Sequence, residues 1–485
     1  MRISDTSPRA FFNRRDVSRA HSMRVMCLVG AMAILAFEAC KGSPGETSDT
    51  ATMTDSSSSS TGLPECALDP PMPGGVHAPW GSLSAGVDHM CVLVGCGAVR
   101  CWGVEKLGSL GYGLDEDVGD DEVPSSLPPL VWDRAALQVD AGWMHTCALL
   151  EDGRIACWGR GDMGSLGSGF TDILGDDELA TSVPPISLGS PAVQVVAGGL
   201  HTCAILDNGS VYCWGAGEYG LLGSGNTENI GDDEAPDASG PVALGGKAVQ
   251  LSSTYLHTCV VLEGGDVRCW GSGEGGALGH VSDEDIGDDE LPDSIGPVDV
   301  GAPVVQVTAG LGHTCALTVG GEVRCWGNND WGQLGYGHTN PIGDDEPPSA
   351  AGSVSLGGVA TQVAAGKYST CALLEGGAVR CWGDNEYGQL GQGNRERIGD
   401  DELPTAVLPL NLGGAALQIV AGGGGQMCAW MEGGHVLCWG LGSGYGNIGG
   451  DTCAAFDYDD ICDMNAVCCI GDEPSEMPPP PLQYR

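Results

Sequence analysis

The chain has 485 residues, and its 64 Asp and Glu residues outnumber its 20 Lys and Arg residues, which gives a formal net charge of −44. A surface of this charge repels phosphate backbones, so the composition argues against DNA or RNA as a ligand. The 81 glycines are what a fold with many tight turns requires.

Residues 1–39 have the features of a secretory signal. A polar segment with several arginines precedes an apolar stretch at 25–37, which is followed by Glu38-Ala39-Cys40. A basic region, a short apolar core and a small residue before the cleavage point are typical of such signals. The core is too short to span a bilayer as a helix. A translation start at Met23 would make the signal more compact.

Cys40 is a candidate for lipidation, since Ala39 before it fits the bacterial lipoprotein motif, although Phe37 and Glu38 depart from that motif. Plain signal cleavage is the alternative. Residues 40–75 include five consecutive serines and cannot bury a core, so they predict a flexible tether. The predicted location is extracytoplasmic, either at a bacterial cell surface or in the periplasm if Cys40 is lipidated, and secreted otherwise.

Residues 76–485 repeat one unit of about 56 residues seven times, and each copy carries two cysteines ten residues apart. The pairs are Cys91 and Cys101, Cys147 and Cys157, Cys203 and Cys213, Cys259 and Cys269, Cys315 and Cys325, Cys371 and Cys381, and Cys428 and Cys438. A period near 50 residues is typical of a solenoid or a propeller.

In the second copy, two β-prone segments flank a turn at Asp152, which is the pattern of a β-hairpin. Folding the chain about this turn places Cys147 opposite Cys157 and Leu149 opposite Ile155. Cβ atoms of a close, non-hydrogen-bonded pair are near enough for a disulfide. We therefore predict one cross-strand disulfide in each copy, and hence an oxidising compartment. Zinc is the alternative, but its cysteine ligands usually have shorter spacings.

Two further segments of each unit read as strands, for example 192–197 and the short run 186–188. Four strands without a helix-period pattern form a propeller blade. We therefore predict an all-β chain that folds as a seven-bladed β-propeller.

The repeat text resembles a known family. The fifth copy contains Ala-Gly-x-x-His-Thr-Cys-Ala-Leu at 309–317, Gly-x-Val-x-Cys-Trp-Gly at 321–327 and Gly-Gln-Leu-Gly-x-Gly at 332–337. This is similar to the RCC1 (regulator of chromosome condensation) repeat, which implies a seven-bladed propeller. The likeness is greatest to bacterial secreted proteins with RCC1 repeats. The eukaryotic namesake is a guanine-nucleotide exchange factor, but a shared fold does not carry that activity over.

A tryptophan follows the second cysteine of every pair. These residues are Trp102, Trp158, Trp214, Trp270, Trp326, Trp382 and Trp439. We interpret them as packing between blades, and a ring of sugar-stacking aromatics is the alternative. A histidine precedes the first cysteine by two residues in five copies, at His89, His145, His201, His257 and His313. Because Ser369 and Gln426 replace it elsewhere, we predict a hydrogen-bonding position rather than a metal ligand or a catalytic group.

An acidic loop, Gly-Asp-Asp-Glu, recurs in six copies after an apolar residue that we expect to anchor it. The carboxylates are Asp120, Asp121 and Glu122; Asp176, Asp177 and Glu178; Asp232, Asp233 and Glu234; Asp288, Asp289 and Glu290; Asp344, Asp345 and Glu346; and Asp400, Asp401 and Glu402. Three interpretations stay open for these loops: a structural turn with solvated charges, a calcium site, or partner recognition.

The seventh copy carries an insertion at 441–471 that is rich in cysteine. With two cysteines outside it, six cysteines remain unassigned, and six allow 15 pairings. They are Cys66, Cys96, Cys453, Cys462, Cys468 and Cys469. We expect a disulfide-bonded loop that clamps the first blade to the last, with a binding loop as the alternative.

The predicted function is extracytoplasmic binding or adhesion by a monomer, with a protein or a glycan as the ligand. Calcium is the one cofactor that the sequence suggests, and any membrane contact would be through a lipid anchor. Repetition argues against an enzyme, because catalysis needs one asymmetric constellation. Exchange-factor activity and an extracellular propeller enzyme are the alternatives.

Overall fold

The computed structural model describes residues 83–119, 124–443 and 467–470. They form seven antiparallel sheets, each built from consecutive strands, which confirms the all-β, seven-bladed prediction. The predicted signal and tether lie outside the described residues. No helix in the described part of the chain is both long and apolar enough to cross a membrane.

Each blade takes three consecutive strands, and the seventh takes four. The strands are β1 Leu83–Ala85, β2 His89–Val94, β3 Ala98–Gly103, β4 Ala136–Ala141, β5 His145–Leu150, β6 Ile155–Gly159, β7 Ala192–Ala197, β8 His201–Leu206, β9 Val211–Gly215, β10 Ala248–Ser253, β11 His257–Leu262, β12 Val267–Gly271, β13 Val304–Ala309, β14 His313–Thr318, β15 Val323–Gly327, β16 Ala360–Ala365, β17 Ser369–Leu374, β18 Val379–Gly383, β19 Ala416–Ala421, β20 Gln426–Met431, β21 Val436–Ser443 and β22 Val467–Ile470.

The described helical segments are single turns. Five are 3-10 turns, at Gly95–Gly97, Ala180–Ser182, Glu218–Gly220, Glu274–Gly276 and Pro404–Ala406, and one is an α-helical turn at Pro348–Ala351.

The first strands of successive blades contact one another around the ring, and β1 contacts β19. Blade 7 therefore closes against blade 1. The amide of Gly423 donates to the carbonyl of Gly86 at 3.0 Å across this closure.

The second and third strands of each blade pair as the hairpin pattern predicts. Cys147 lies opposite Cys157, and Leu149 lies opposite Ile155. All seven predicted cysteine pairs form disulfides, with Cα atoms 4.0–4.1 Å apart. The predicted disulfide in each blade is thus confirmed.

The expectation of four short strands in each blade was wrong for blades 1 to 6, whose described sheets have three strands, and blade 2 shows the reason. Where a fourth strand was expected, Ile186 forms only an isolated bridge with Ile155. Pro184 and Pro185 precede it, and proline cannot donate to a strand ladder.

Blade 7 has a fourth strand, because the two described ends of the inserted segment pair with each other as antiparallel strands. Its last strand, β22, pairs with the end of β21, with Leu441 opposite Cys469 and Gly440 opposite Ile470. The predicted clamp, and the pairing of the six remaining cysteines, fall outside what the structure describes.

Candidate functional site

The repeated histidines form hydrogen bonds between blades. His145 Nε2 lies 2.9 Å from Thr202 Oγ1 in the next blade, and Thr202 Oγ1 donates to the carbonyl of Ser165 at 2.8 Å. Because the hydroxyl uses its proton on this carbonyl, the imidazole is the donor to Thr202. The same His–Thr contact, 2.7–3.0 Å long, occurs at five successive junctions. We call this arrangement the histidine relay.

The relay histidines are buried and neutral. Burial lowers the pKa of His145 and His201 to about 3 and that of His89 to about 4. This environment supports the prediction of a hydrogen-bonding position, since the Nε2 atoms are already committed to threonines.

The tryptophans complete each junction. Trp214 is fully buried, and its indole N–H donates at 3.0 Å to the same Ser165 carbonyl that Thr202 contacts. The indoles of Trp158, Trp270, Trp326, Trp382 and Trp439 likewise donate to carbonyls of the preceding blade at 2.9–3.1 Å. These buried rings pack between blades and present no face to a sugar.

A second interblade contact was not predicted. Gln250 lies on a first strand, and its amide both donates to the carbonyl of Val307 at 3.1 Å and accepts from the Val307 N–H at 2.7 Å. The Gln250 side chain therefore joins neighbouring blades through a pair of hydrogen bonds to one backbone residue, as a neighbouring β-strand would. The glutamine recurs every 56 residues at Gln138, Gln194, Gln250, Gln306, Gln362 and Gln418, and this period is the signal that could have identified it.

The acidic loops pack against the preceding blade. Leu174 exchanges two backbone hydrogen bonds with Gly159, and the Gly113 N–H of the preceding blade donates to the carbonyl of Gly175 at 3.0 Å. Gly175 has a φ of 98°, a conformation that favours glycine. The buried Leu174 anchors the loop as expected, so its backbone acts as a structural turn.

The carboxylates of these loops are close enough to share a cation. In five loops, one carboxylate oxygen from each of the three acids lies within 4.8 Å of the others. A hydrogen bond that protonated Glu346 donates to Asp345, followed by burial, raises the pKa of Glu346 to about 7, and burial with neighbouring acids does the same for Glu402. Asp120, Asp121 and Glu122 lie outside the described residues.

One end of the propeller carries residues that break the repeat. His201 pairs with Gly215, so the turn before each second strand and the loop after each third strand lie at this end, which we call the variable face. The turns hold different residues in different blades: Val87-Asp88, Trp143-Met144, Gly199-Leu200, Tyr255-Leu256, Leu311-Gly312, Lys367-Tyr368 and Gly423-Gly424. The turns at the opposite end are more alike: all seven have glycine at the third position, and blades 4, 6 and 7 share Glu-Gly-Gly.

Comparisons with known proteins identify the repeat. A family model described as an RCC1-like domain matches residues 169–479, and one described as a regulator of chromosome condensation (RCC1) repeat matches residues 137–165.

Relatives and solved structures agree with these matches. The ultraviolet-B receptor UVR8 of Arabidopsis thaliana is 31% identical over 341 residues, which cover 69% of this chain and 70% of that protein. The human E3 ubiquitin-protein ligase HERC2 is 30% identical over 348 residues, but these are only 7% of its length. The structure of yeast RCC1 (Prp20) bound to Kap60 matches with a TM-score of 0.55 and 20% identity, covering 83% of this chain and 87% of that one, which shows a shared fold.

Proposed function

The chain belongs to the RCC1-like propeller family, and we propose that it is an extracytoplasmic binding or adhesion module for a protein or a surface glycan. The observation that carries this proposal is the disulfide in every blade. Such bonds persist in oxidising compartments. They also support a rigid scaffold on which loops can vary, as binding loops do.

The compartment can be tested by counting thiols. The protein is taken from cells that express the full chain, denatured, and alkylated with and without prior reduction, and the two intact masses are compared. We expect reduction to expose at least the fourteen thiols of the seven blades. Blade cysteines that are already alkylated without reduction would place the protein in a reducing compartment and contradict the proposal.

Attachment to a membrane would be through Cys40, with residues 40–75 as the tether. Metabolic labelling with a fatty-acid analogue in a bacterial host tests this part. The chain should incorporate the label, and the Cys40→Ala variant should not. Equal labelling of the two would remove the lipid anchor from the proposal.

Calcium is proposed as a stabiliser of the acidic loops, supported by the clustered carboxylates and by the oxygen ligands that calcium prefers. A thermal melt of the oxidised protein in millimolar calcium and in EDTA tests it. We expect a higher melting temperature in calcium, and a smaller gain when Asp288 and Asp289 are changed to Asn. Identical melts would leave these loops as turns with solvated charge.

Guanine-nucleotide exchange is the second candidate, because the chain matches the RCC1 repeat model. Accelerated nucleotide release from a candidate GTPase would support it. The disulfides favour the binding role, since a GTPase substrate would be cytosolic.

A further inference from the structure

An aromatic cluster lies on the variable face across blades 2 to 4. Trp143 and Tyr255 meet edge to face with ring centroids 4.7 Å apart, although Trp143 belongs to blade 2 and Tyr255 to blade 4, with blade 3 between them. Gly199, on the intervening blade, makes this possible, because a Cβ at that position would overlap the Tyr255 ring. We call Trp143, Met144, Glu218, Tyr219 and Tyr255 the Trp143 patch.

Tyr219 is held in a backbone conformation that its side chain disfavours. Its φ is 58°, and the equivalent residue of the next blade is Gly275, with a φ of 69°. The Tyr219 side chain is 47% exposed, so burial does not explain the choice of residue. Residues that keep such strain are often found at functional sites, but Leu107 has the same conformation at this loop position of blade 1, so the strain belongs to the loop position and the side chain distinguishes the patch.

The patch also presents an available negative charge. Glu218 is exposed, and no ion pair of Glu218 occurs within the described ranges. Burial, followed by the charge of Glu218, raises the pKa of the nearby Tyr255 hydroxyl. Arg160, the neighbouring cation, donates to Asp162 through contacts of 2.6 and 2.7 Å, and its Nη1 lies 3.6 Å from Met144 Sδ at the edge of the patch.

A second aromatic pair on the same face shows what such a pair accommodates. Trp331 and Tyr368 lie 5.4 Å apart. The guanidinium of Arg397 lies 4.2 Å from the centre of the Trp331 ring, and Lys367 lies 5.6 Å from that of Tyr368. Blades 5 and 6 thus fill their aromatic pair with cations of the chain itself. In blade 3 of the Trp143 patch, Asn229 stands at the repeat position of Arg397, and Glu218 directly precedes Tyr219.

We propose that the Trp143 patch docks a protein partner through an Arg or Lys side chain, which would stack on Tyr219 and Tyr255 and pair with Glu218. Cation–π contacts and a facing carboxylate are the interactions that recognise such a side chain. The net charge of −44 would steer a basic partner towards the protein. This inference rests on the proposed binding function and names the surface and the partner chemistry.

The probe for the test is a fluorescein-labelled peptide of alternating Arg and Gly, with binding followed by fluorescence anisotropy at about 0.15 M salt, where distant charges are screened. Two changes alter the patch: Tyr219→Gly and Glu218→Gln. Each has a matched control in another blade. Leu107→Gly removes an exposed apolar side chain with a φ of 57° at the same loop position, and Glu274→Gln removes the equivalent carboxylate.

We expect Tyr219→Gly and Glu218→Gln each to weaken peptide binding about fivefold to tenfold, with the controls within about twofold of the unaltered chain. Both glycine variants should melt at the same temperature as the parent or higher, because they relieve strain. Equal weakening by the controls would show attraction to overall charge only and overturn the inference, as would no binding of the peptide. Either result leaves the proposed function intact, since the thiol count tests it independently.

Discussion

The five junctions along the ring from blade 1 to blade 6 differ from the two junctions on either side of blade 7. Each of the five contains the histidine relay. Between blades 6 and 7 the equivalent residues are Ser369 and Met427, and the Ser369 hydroxyl is buried without a hydrogen-bond partner in the described structure. Between blades 7 and 1, Gln426 replaces the histidine and donates to the carbonyls of Gly86 and Val87 at 2.9 and 3.2 Å.

Both partners of the relay are replaced together, so its loss does not leave a threonine facing an apolar residue. The buried tryptophan is retained, since Trp439 still donates to the carbonyl of Gln389 at 3.1 Å. We conclude that packing of the indole is the general requirement of a junction, and that the relay adds to it.

The largest expected effect tests the role of the indole. Trp270→Ala removes a fully buried ring and its bond to the carbonyl of Leu221, and should lower the free energy of unfolding by about 3–5 kcal/mol. Trp143→Ala, on the variable face, is the control and should cost about 1 kcal/mol or less. Denaturant unfolding measures both. Similar losses would contradict the distinction between junction and face.

A relay histidine should make stability depend on pH in a defined direction. Burial, followed by the charge of His257, lowers the pKa of His313 to about 3, whereas the unfolded value is about 6.5. The contribution of neutral His313 to the free energy of unfolding is therefore complete above pH 6.5 and is lost as the pH falls towards 3. At pH 5 the loss is about 2 kcal/mol.

His313→Gln should thus be destabilising at pH 7.5, and the deficit should shrink by about 2 kcal/mol at pH 5. Chemical unfolding at the two pH values measures this difference. Gln426→Ala is a control without a titrating group, so its deficit should be the same at both. A His313→Gln deficit that does not change with pH would refute a neutral, buried imidazole.

The smallest expected effect is an increase in stability. Changing Ser369→His together with Met427→Thr would convert the junction of blades 6 and 7 to the common type. One added buried hydrogen bond and the removal of the unpartnered Ser369 hydroxyl should raise the unfolding free energy by about 1 kcal/mol. The single variants should each be less stable than the double variant, and thermal unfolding compares the three. No coupling between the two changes would mean that the relay does not form there.

The blade number, the hairpin register and the disulfides could be predicted because the sequence repeats them and because β-hairpins are local. The role of the histidines was accessible for a similar reason, since Ser369 and Gln426 replace them. The relay partner was not predicted, because Thr202 lies 57 residues from His145 and only the ring places them together. The Trp143 patch was missed because it appears in the sequence as a loss of pattern, and its members come from three blades.

Each of the seven described disulfides joins two cysteines of one hairpin, and these cysteines are ten residues apart along the chain. Fourteen cysteines allow far more pairings than the 105 available to eight. Short loops cost less entropy to close than long ones, so a cysteine meets its partner in the same hairpin more readily than any cysteine of a later blade. Oxidative folding can therefore proceed one blade at a time, without an isomerase to correct mispaired blades, and the ring closes on sheets that are already cross-linked.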